Sequence, residues 1–183
     1  PVMDLQVLAA FADPANLPAL LAPSPGGAAG IGGPPPGSTP PPTTSEPLAD
    51  GVFRIRGPYN SLAVGFADHV MLIEPGPMNE ARALAGIAET RRLFPGKPIR
   101  HGVITHHHFD HTGGIAAVAA EGITIVTPEV NAAFLRKALS GPRTLAPDAL
   151  ARSGRQPVVE GFSGVSRIFE DATRRVEIHV IQG

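Results

Sequence analysis

The chain has 183 residues, which is enough for one domain with a hydrophobic core of its own. Its formal net charge is −1 and its lysines and arginines are scattered, so composition gives no electrostatic case for a nucleic-acid or membrane partner. Because cysteine is absent, disulfides, zinc–thiolate sites and a cysteine nucleophile are excluded, and any metal must be held by histidine and carboxylate.

The N-terminal quarter of the chain differs in composition from the rest. Residues 1–22 predict a short helical segment, to which no function is assigned. Residues 23–47 are rich in Pro, Gly, Ser and Thr and have too few large apolar side chains to offset the entropy of ordering, so they predict a linker or arm. The chain starts at Pro1 without the basic region of an intact signal peptide. We expect a cytoplasmic location, with a periplasmic one as the alternative if a signal peptide has been removed.

From residue 48 onward, hydrophobic periodicity predicts one folded domain over 48–183. The predicted strands lie at 53–56, 62–66, 69–73, 99–104 and 123–126, followed by a hairpin of 168–169 with 175–181. The predicted helices lie at 79–94, 113–120 and 129–139, and a long loop at 141–157. Strands followed by helix–strand alternation indicate an α/β or α+β domain in which helices cover a mixed sheet.

The densest cluster of histidines follows the predicted strand at 99–104. In an extended chain, His106 and His108 project to one side while His107 points to the other. Asp110 and His111 come on the turn that enters the next helix, where the chain changes direction. Two imidazoles from one side and a carboxylate with an imidazole from the other can serve two adjacent cations. These donors suit Zn, Fe, Mn or Co.

The surroundings of this cluster also favour a ligand site. The cluster lies between the carboxyl end of a strand and the start of a helix, where α/β sheets place their sites. Gly113 and Gly114 follow it directly and would let the helix pack close beneath the site.

The pattern H-x-H-x-D-H over 106–111, with Thr105 before it and glycines at 113–114 after it, resembles the signature of the metallo-β-lactamase superfamily. The N-terminal hairpin, and the strand that ends in Glu-Pro-Gly at 74–76, fit the same family. The resemblance implies an αβ/βα sandwich. Residues 48–183 would form its N-terminal portion, and the C-terminal half would be missing from this sequence.

The resemblance also implies a site and an activity. His106 and His108 would bind one metal, and Asp110 and His111 the second. The complete site would hold two zinc ions, with iron or manganese as alternatives, and would take its remaining ligands from beyond Gly183. The implied protein is a hydrolase in which a metal-bound hydroxide attacks the ester, thioester, lactone or amide bond of a small molecule. Asp110 would also orient the nucleophile and accept its proton.

Other polar residues have two interpretations each. Glu74 either orients a motif histidine through a hydrogen bond or is simply an acid at the end of a strand. His179 is either a third metal ligand or, as we expect, a strand histidine facing solvent or a neighbour. His69 and His101 are expected to be structural.

Three further pairs or residues are assigned structural roles. We expect Tyr59 and Asn60 to be turn residues, and Arg143 with Asp148 to form a capping pair in the long loop. His107 is expected to pack or to support the site from behind.

Two functional classes remain. A serine hydrolase and a phosphate-binding loop are not supported, because no G-x-S-x-G is present and the glycine-rich stretch lies in the Pro-rich tract. The alternative to a hydrolase is a non-catalytic metal-binding or interaction fragment with an incomplete site. The sequence leaves the oligomeric state open.

Overall fold

A computed structural model of the chain describes residues 43–57, 59–144 and 146–181. In these residues the strands are β1 (Ser45–Ala49), β2 (Val52–Ile55), β3 (Ser61–Gly65), β4 (Val70–Ile73), β5 (Ile99–Val103), β6 (Thr124–Pro128), β7 (Val159–Phe162), β8 (Ser166–Glu170) and β9 (Arg175–His179). The helices are α1 (Glu80–Leu93), α2 (Phe109–Thr112), α3 (Ile115–Ala120), α4 (Glu129–Ser140) and α5 (Ala149–Ser153). The predicted helix within 1–22 and most of the predicted arm lie outside the described residues.

Seven strands form one mixed sheet in the order β1-β2-β3-β4-β5-β6-β7, and β8 pairs with β9 in a separate hairpin. The pairs from β1 to β4 are antiparallel, whereas β4, β5, β6 and β7 run parallel to one another. The predicted α/β domain with a mixed sheet covered by helices is confirmed. None of the helices in the described part of the chain is long and apolar enough to cross a bilayer.

Alternation along the strands gives the sheet two apolar faces. On β4, Leu72 faces the helices and packs in a cluster with Ile87 of α1 and Leu135 of α4. Its neighbour Met71 belongs to the opposite cluster, which Phe169 of β8 helps to cover. Helices therefore cover one face of the sheet, and the β8–β9 hairpin packs on the other.

Polar contacts fix the hairpin to the sheet. The Arg174 side chain donates from Nε to the carbonyl oxygen of Gly65 at 2.8 Å. Asp171 accepts from the backbone N–H of Ala67 at 2.7 Å. Hydrogen bonds from Thr173 and the Ala67 N–H hold the pKa of Asp171 well below its ordinary range. The turn between β8 and β9 therefore also contacts the sheet.

The main differences from the sequence-based prediction concern β1, α5 and β7. β1 begins at Ser45, three residues inside the predicted arm, because its backbone pairs with β2 although its side chains are largely exposed. The predicted loop at 141–157 is wrong for Ala149–Ser153, which form α5 behind an Asp148 N-cap. The predicted pair of Arg143 with Asp148 is confirmed, with Nε and Oδ2 2.5 Å apart. β7 at Val159–Phe162 was not predicted.

Candidate metal centre

The histidine motif lies at the carboxyl end of β5, an inner strand of the sheet. β4, β5 and β6 are parallel, so their carboxyl ends lie together. The backbone N–H of Ile104 donates to the carbonyl of Val126 at 2.9 Å, which extends the pairing to the last residue before the motif. The motif then leaves the sheet and enters α2, a single helical turn.

Three side chains of the motif converge. One donor atom each from His106, Asp110 and His111 forms a group in which all lie within 4.8 Å of one another. Nε2 of His111 is 3.5 Å from Oδ2 of Asp110. The ring centroids of His106 and His111 are 4.0 Å apart. Since all three residues are only partly buried, a solute can reach the group from outside.

His108 lies next to this group without belonging to it. Its ring centroid is 4.7 Å from that of His106, in an edge-on arrangement. Its carbonyl accepts from the N–H groups of His111 and Thr112, each at 3.0 Å, and so starts the turn that carries Asp110. The division of the four residues between two metals stays a prediction.

Glu74, at the end of β4, holds the cluster from behind. Nδ1 of His111 donates to one carboxylate oxygen of Glu74 at 2.9 Å, and the backbone N–H of Thr105 donates to the other at 3.0 Å. The prediction that Glu74 orients a motif histidine is therefore confirmed. The bond occupies Nδ1 and leaves Nε2 of His111 free for a metal.

The backbone at Glu74 is strained. Its φ is 55°, in the left-handed region that a non-glycine residue enters at a cost of about 1–3 kcal/mol. The Ser61 hydroxyl donates to the Glu74 carbonyl at 2.7 Å and helps to keep this conformation. In this backbone conformation the Glu74 carboxylate accepts from both the Thr105 N–H and Nδ1 of His111.

His107 faces away from the cluster, as predicted. Its Nδ1 and Oδ1 of Asn131, on α4, are 2.9 Å apart, and its ring packs on Phe134 at 4.9 Å between centroids. Asn131 also donates from Nδ2 to the Thr105 carbonyl at 3.3 Å. The role of Asn131 was missed because it depends on packing between α4 and the motif, which leaves no local pattern.

The two glycines after the motif permit a close backbone approach. A Cβ at Gly113 would lie 2.1 Å from the carbonyl oxygen of Met78, and one at Gly114 would lie 2.4 Å from that of Asn79. Gly114 also donates its N–H to the carbonyl of Gly76 at 2.9 Å. This close packing fixes the segment after β4 and the start of α1 against the motif.

Electrostatics favour the metal-binding form of His106. Burial, followed by the nearby imidazoles of His111 and His108, lowers the pKa of His106 below its ordinary value. Its Nδ1 is 3.0 Å from the hydroxyl oxygen of Thr105. A neutral ring is the form that binds a metal, and the lowered pKa favours that form of His106.

The remaining histidines lie elsewhere. His69 stacks on Phe66 with centroids 4.6 Å apart, and His101 lies edge-on to His69 and tilted against Phe169. His69 is buried and His101 is partly buried, in line with their predicted structural role. His179 is largely exposed and lies 3.1 Å from Glu177, outside the donor group found among the described residues.

One aromatic residue at the site was not foreseen. The Tyr59 ring, expected only to be part of a turn, lies 5.9 Å from the His111 ring in an edge-on arrangement. Tyr59 is 39% exposed and is the single tyrosine of a chain without tryptophan. No sequence pattern links it to residue 111, because the contact depends on how the segment between β2 and β3 folds back.

Comparisons with known proteins identify the family and the fold. A family model described as the metallo-beta-lactamase superfamily matches residues 54–167. The structure of a metallo-β-lactamase from Pontibacter korlensis is similar at a TM-score of 0.55 and 18% identity, over 75% of this chain and 60% of that one. The structure of TMB-1 is similar at a TM-score of 0.52 and 19% identity, over 74% of this chain and 58% of that one. The structure of DIM-1 exposed to ceftazidime is similar at a TM-score of 0.51 and 15% identity, over 75% of this chain and 59% of that one.

These likenesses show the fold, and the predicted metallo-β-lactamase fold is confirmed. The chain spans 58% of TMB-1 and 60% of the Pontibacter protein. A comparison with curated proteins gave no significant match.

Proposed function

This chain belongs to the metallo-β-lactamase superfamily, and we propose that it is part of a zinc-dependent hydrolase that cleaves an ester, thioester, lactone or amide bond of a small molecule. The observation that carries the proposal is the convergence of His106, Asp110 and His111, whose donor atoms lie within 4.8 Å of one another. Because the chain spans little more than half of its structural relatives, the activity is proposed for the complete protein.

The donors fit zinc. With zinc–ligand distances near 2.0–2.1 Å, two ligands of one tetrahedral ion lie about 3.3 Å apart. The 3.5 Å between Nε2 of His111 and Oδ2 of Asp110 is close to that value. His106 and the adjacent His108 would supply further nitrogen ligands, and two metals in the complete site are part of the proposal. Iron and manganese accept the same donor types and remain alternatives.

The chain's own residues have distinct tasks in this proposal. A bound zinc lowers the pKa of a coordinated water to about 7 and polarises a carbonyl group. Asp110, one third exposed at the cluster, would orient the attacking water and accept its proton. Glu74 keeps the His111 ring in the tautomer whose Nε2 is free. Asn131, through His107 and Thr105, holds the backbone of the motif.

The complete protein tests this proposal. Hydrolysis of a panel of chromogenic ester, thioester, lactone and β-lactam substrates is measured with and without a chelator. We expect activity that the chelator abolishes and zinc restores, and that His111→Ala removes. His179→Gln, which changes an exposed histidine away from the cluster, is the matched control and should be fully active. A rate that survives complete chelation would refute the proposal.

A second candidate is metal binding without turnover. The observation in its favour is that only three donors form the group in the described residues, one fewer than a closed tetrahedral site requires. Zinc affinity, measured for this chain and for the complete protein, separates the two candidates when it is combined with turnover of the complete protein. Weakly held zinc here, with tight zinc and turnover in the complete protein, supports the hydrolase. Tight zinc without turnover in the complete protein supports the binding module.

A further inference from the structure

Arg82 is a buried cation with no carboxylate partner among the residues that the structure describes. It lies in the first turn of α1 and is 7% exposed, and its Nε and Nη1 have no hydrogen-bond partner among the described residues. Burial lowers the pKa of its guanidinium below the ordinary value, although an arginine remains protonated under such conditions. A buried, unpaired charge is costly, and such violations of ordinary packing concentrate where a protein needs a particular geometry.

The hydrogen bonds that Arg82 does make go to one segment of backbone. Nη2 donates to the carbonyl of Tyr59 at 3.2 Å and more weakly to that of Ile55 at 3.4 Å. These two carbonyls stand at the beginning and near the end of the turn that joins β2 to β3. A single guanidinium group thus clamps the turn at both ends, which a smaller ammonium group does less well.

Gly57 makes room for this clamp. A Cβ at Gly57 would lie 2.4 Å from Nε of Arg82, so a side chain here would force the turn and the guanidinium apart. Arg82 itself is held by Asn79, whose side chain accepts from the Arg82 backbone N–H at 2.9 Å. The backbone of Asn79 in turn lies against Gly114, which directly follows the histidine motif.

The residue placed by this clamp is Tyr59, whose ring lies against His111. We infer that Arg82 is a positioning residue, which holds the turn between β2 and β3 so that Tyr59 forms a rigid wall of the metal site beside His111. The inference rests on the proposed function for its consequence: a substrate that enters the site meets the Tyr59 ring. Displacing the turn should therefore raise KM more than it lowers kcat.

Tyr59 also supplies the measurement. It is the only tyrosine and the chain has no tryptophan, so intrinsic fluorescence reports this residue alone. Two readings are taken for each variant: quenching by acrylamide in metal-free protein, which measures access to the ring, and quenching by saturating Co²⁺, which measures its distance from the metal site. Neither reading depends on turnover.

The variants act from both sides of the clamp. Arg82→Gln and Arg82→Lys change the cation, whereas Gly57→Ala keeps the cation and separates it from the turn. Arg91→Gln is the matched control, since Arg91 also lies on α1 but pairs with Glu121 at 2.7 Å. Circular dichroism and thermal unfolding identify any variant that fails to fold, and Gly57→Ala then carries the test.

We expect the acrylamide quenching constant to rise by about twofold in folded Arg82→Gln and Gly57→Ala. The reason is that Tyr59, which is 39% exposed in the wild type, would no longer be held beside His111. Quenching by Co²⁺ should fall by about half or more, while Co²⁺ affinity changes by less than about threefold, because Arg82 bonds backbone carbonyls and no metal ligand. Arg82→Lys should lie between wild type and Arg82→Gln, and Arg91→Gln should match wild type.

Wild-type values of both quenching readings in every folded variant would overturn the inference. If wild-type protein shows no quenching by Co²⁺ at all, the proposed metal site is wrong. The acrylamide reading then decides the role of Arg82 by itself, so the two failures are distinguishable.

Discussion

Glu74→Gln is expected to weaken zinc binding strongly while leaving the fold intact. The carboxylate accepts from Nδ1 of His111 at 2.9 Å and from the N–H of Thr105 at 3.0 Å. A glutamine amide has one oxygen, so it can serve only one of these donors. If the oxygen stays with Thr105, the amide NH₂ faces the His111 ring and favours the tautomer whose proton lies on Nε2, the nitrogen needed for the metal.

The size of the effect follows from this loss. Removing the partner of a metal-binding histidine typically lowers metal affinity about 10–100-fold, which corresponds to about 1.4–2.7 kcal/mol. Zinc affinity is measured by competition with a chromophoric chelator, and the unfolding free energy of metal-free protein is measured in urea. Because the metal-free protein loses at most one of two hydrogen bonds, its stability should change far less than the zinc affinity does.

The control for this prediction is Glu170→Gln, which changes an exposed carboxylate at the end of β8. It should bind zinc as wild type does. If Glu74→Gln also binds zinc within about twofold of wild type, the hydrogen bond to His111 does not support the site and the reasoning is wrong.

Two further predictions concern pH and packing. Burial and the neighbouring His69 lower the pKa of His101 in the folded chain below the ordinary value of 6.5, so the stability it contributes is present above that value and is lost as pH falls through the folded-state pKa. Urea unfolding of metal-free protein between about pH 7 and about pH 5 should thus show a steeper loss of stability in wild type than in His101→Gln. Gly114→Ala should destabilise the fold by about 1–3 kcal/mol, because its Cβ would lie 2.4 Å from the carbonyl of Asn79.

Each of these has a matched control. His179→Gln alters an exposed histidine and should keep the wild-type pH slope. Gly141→Ala should be nearly neutral, because its nearest neighbour would be 3.6 Å away. An unchanged pH slope in His101→Gln would show that this imidazole does not drive the acid sensitivity. Wild-type stability of Gly114→Ala would show that the backbone there relaxes freely.

The parts of the fold that could be predicted are those with local periodicity. α1 was foreseen because apolar residues recur on one face. The structure adds that Asn79 caps it. β4 and β5 were foreseen as short apolar runs between turn residues. By contrast, β1 contains Pro47 and has mostly exposed side chains, so only its backbone pairing with β2 reveals it. β7 is a four-residue edge strand with Gly161 inside, a pattern that does not stand out from a loop.

The site divides in the same way. The convergence of His106 with Asp110 and His111 follows from a strand that enters a tight turn, which short-range geometry is enough to foresee. The Tyr59 wall and the support from Asn131 could not be foreseen, because they join segments far apart in the chain. Such contacts depend on how helices pack on the sheet, and a single sequence carries no local signal of that packing.

Nitrogen NMR of the histidine rings as zinc is added tests most directly whether the histidine motif binds the metal. The chain has seven histidines. If the motif binds zinc, the ring-nitrogen chemical shifts of its metal-binding histidines must change on zinc addition while those of the other histidines do not. We predict that zinc shifts one ring-nitrogen resonance each of His106 and His108 and the Nε2 resonance of His111, while Nδ1 of His111 stays protonated through its bond to Glu74. A zinc-dependent shift at His107 in place of these, or no shift at any motif histidine, would contradict the account.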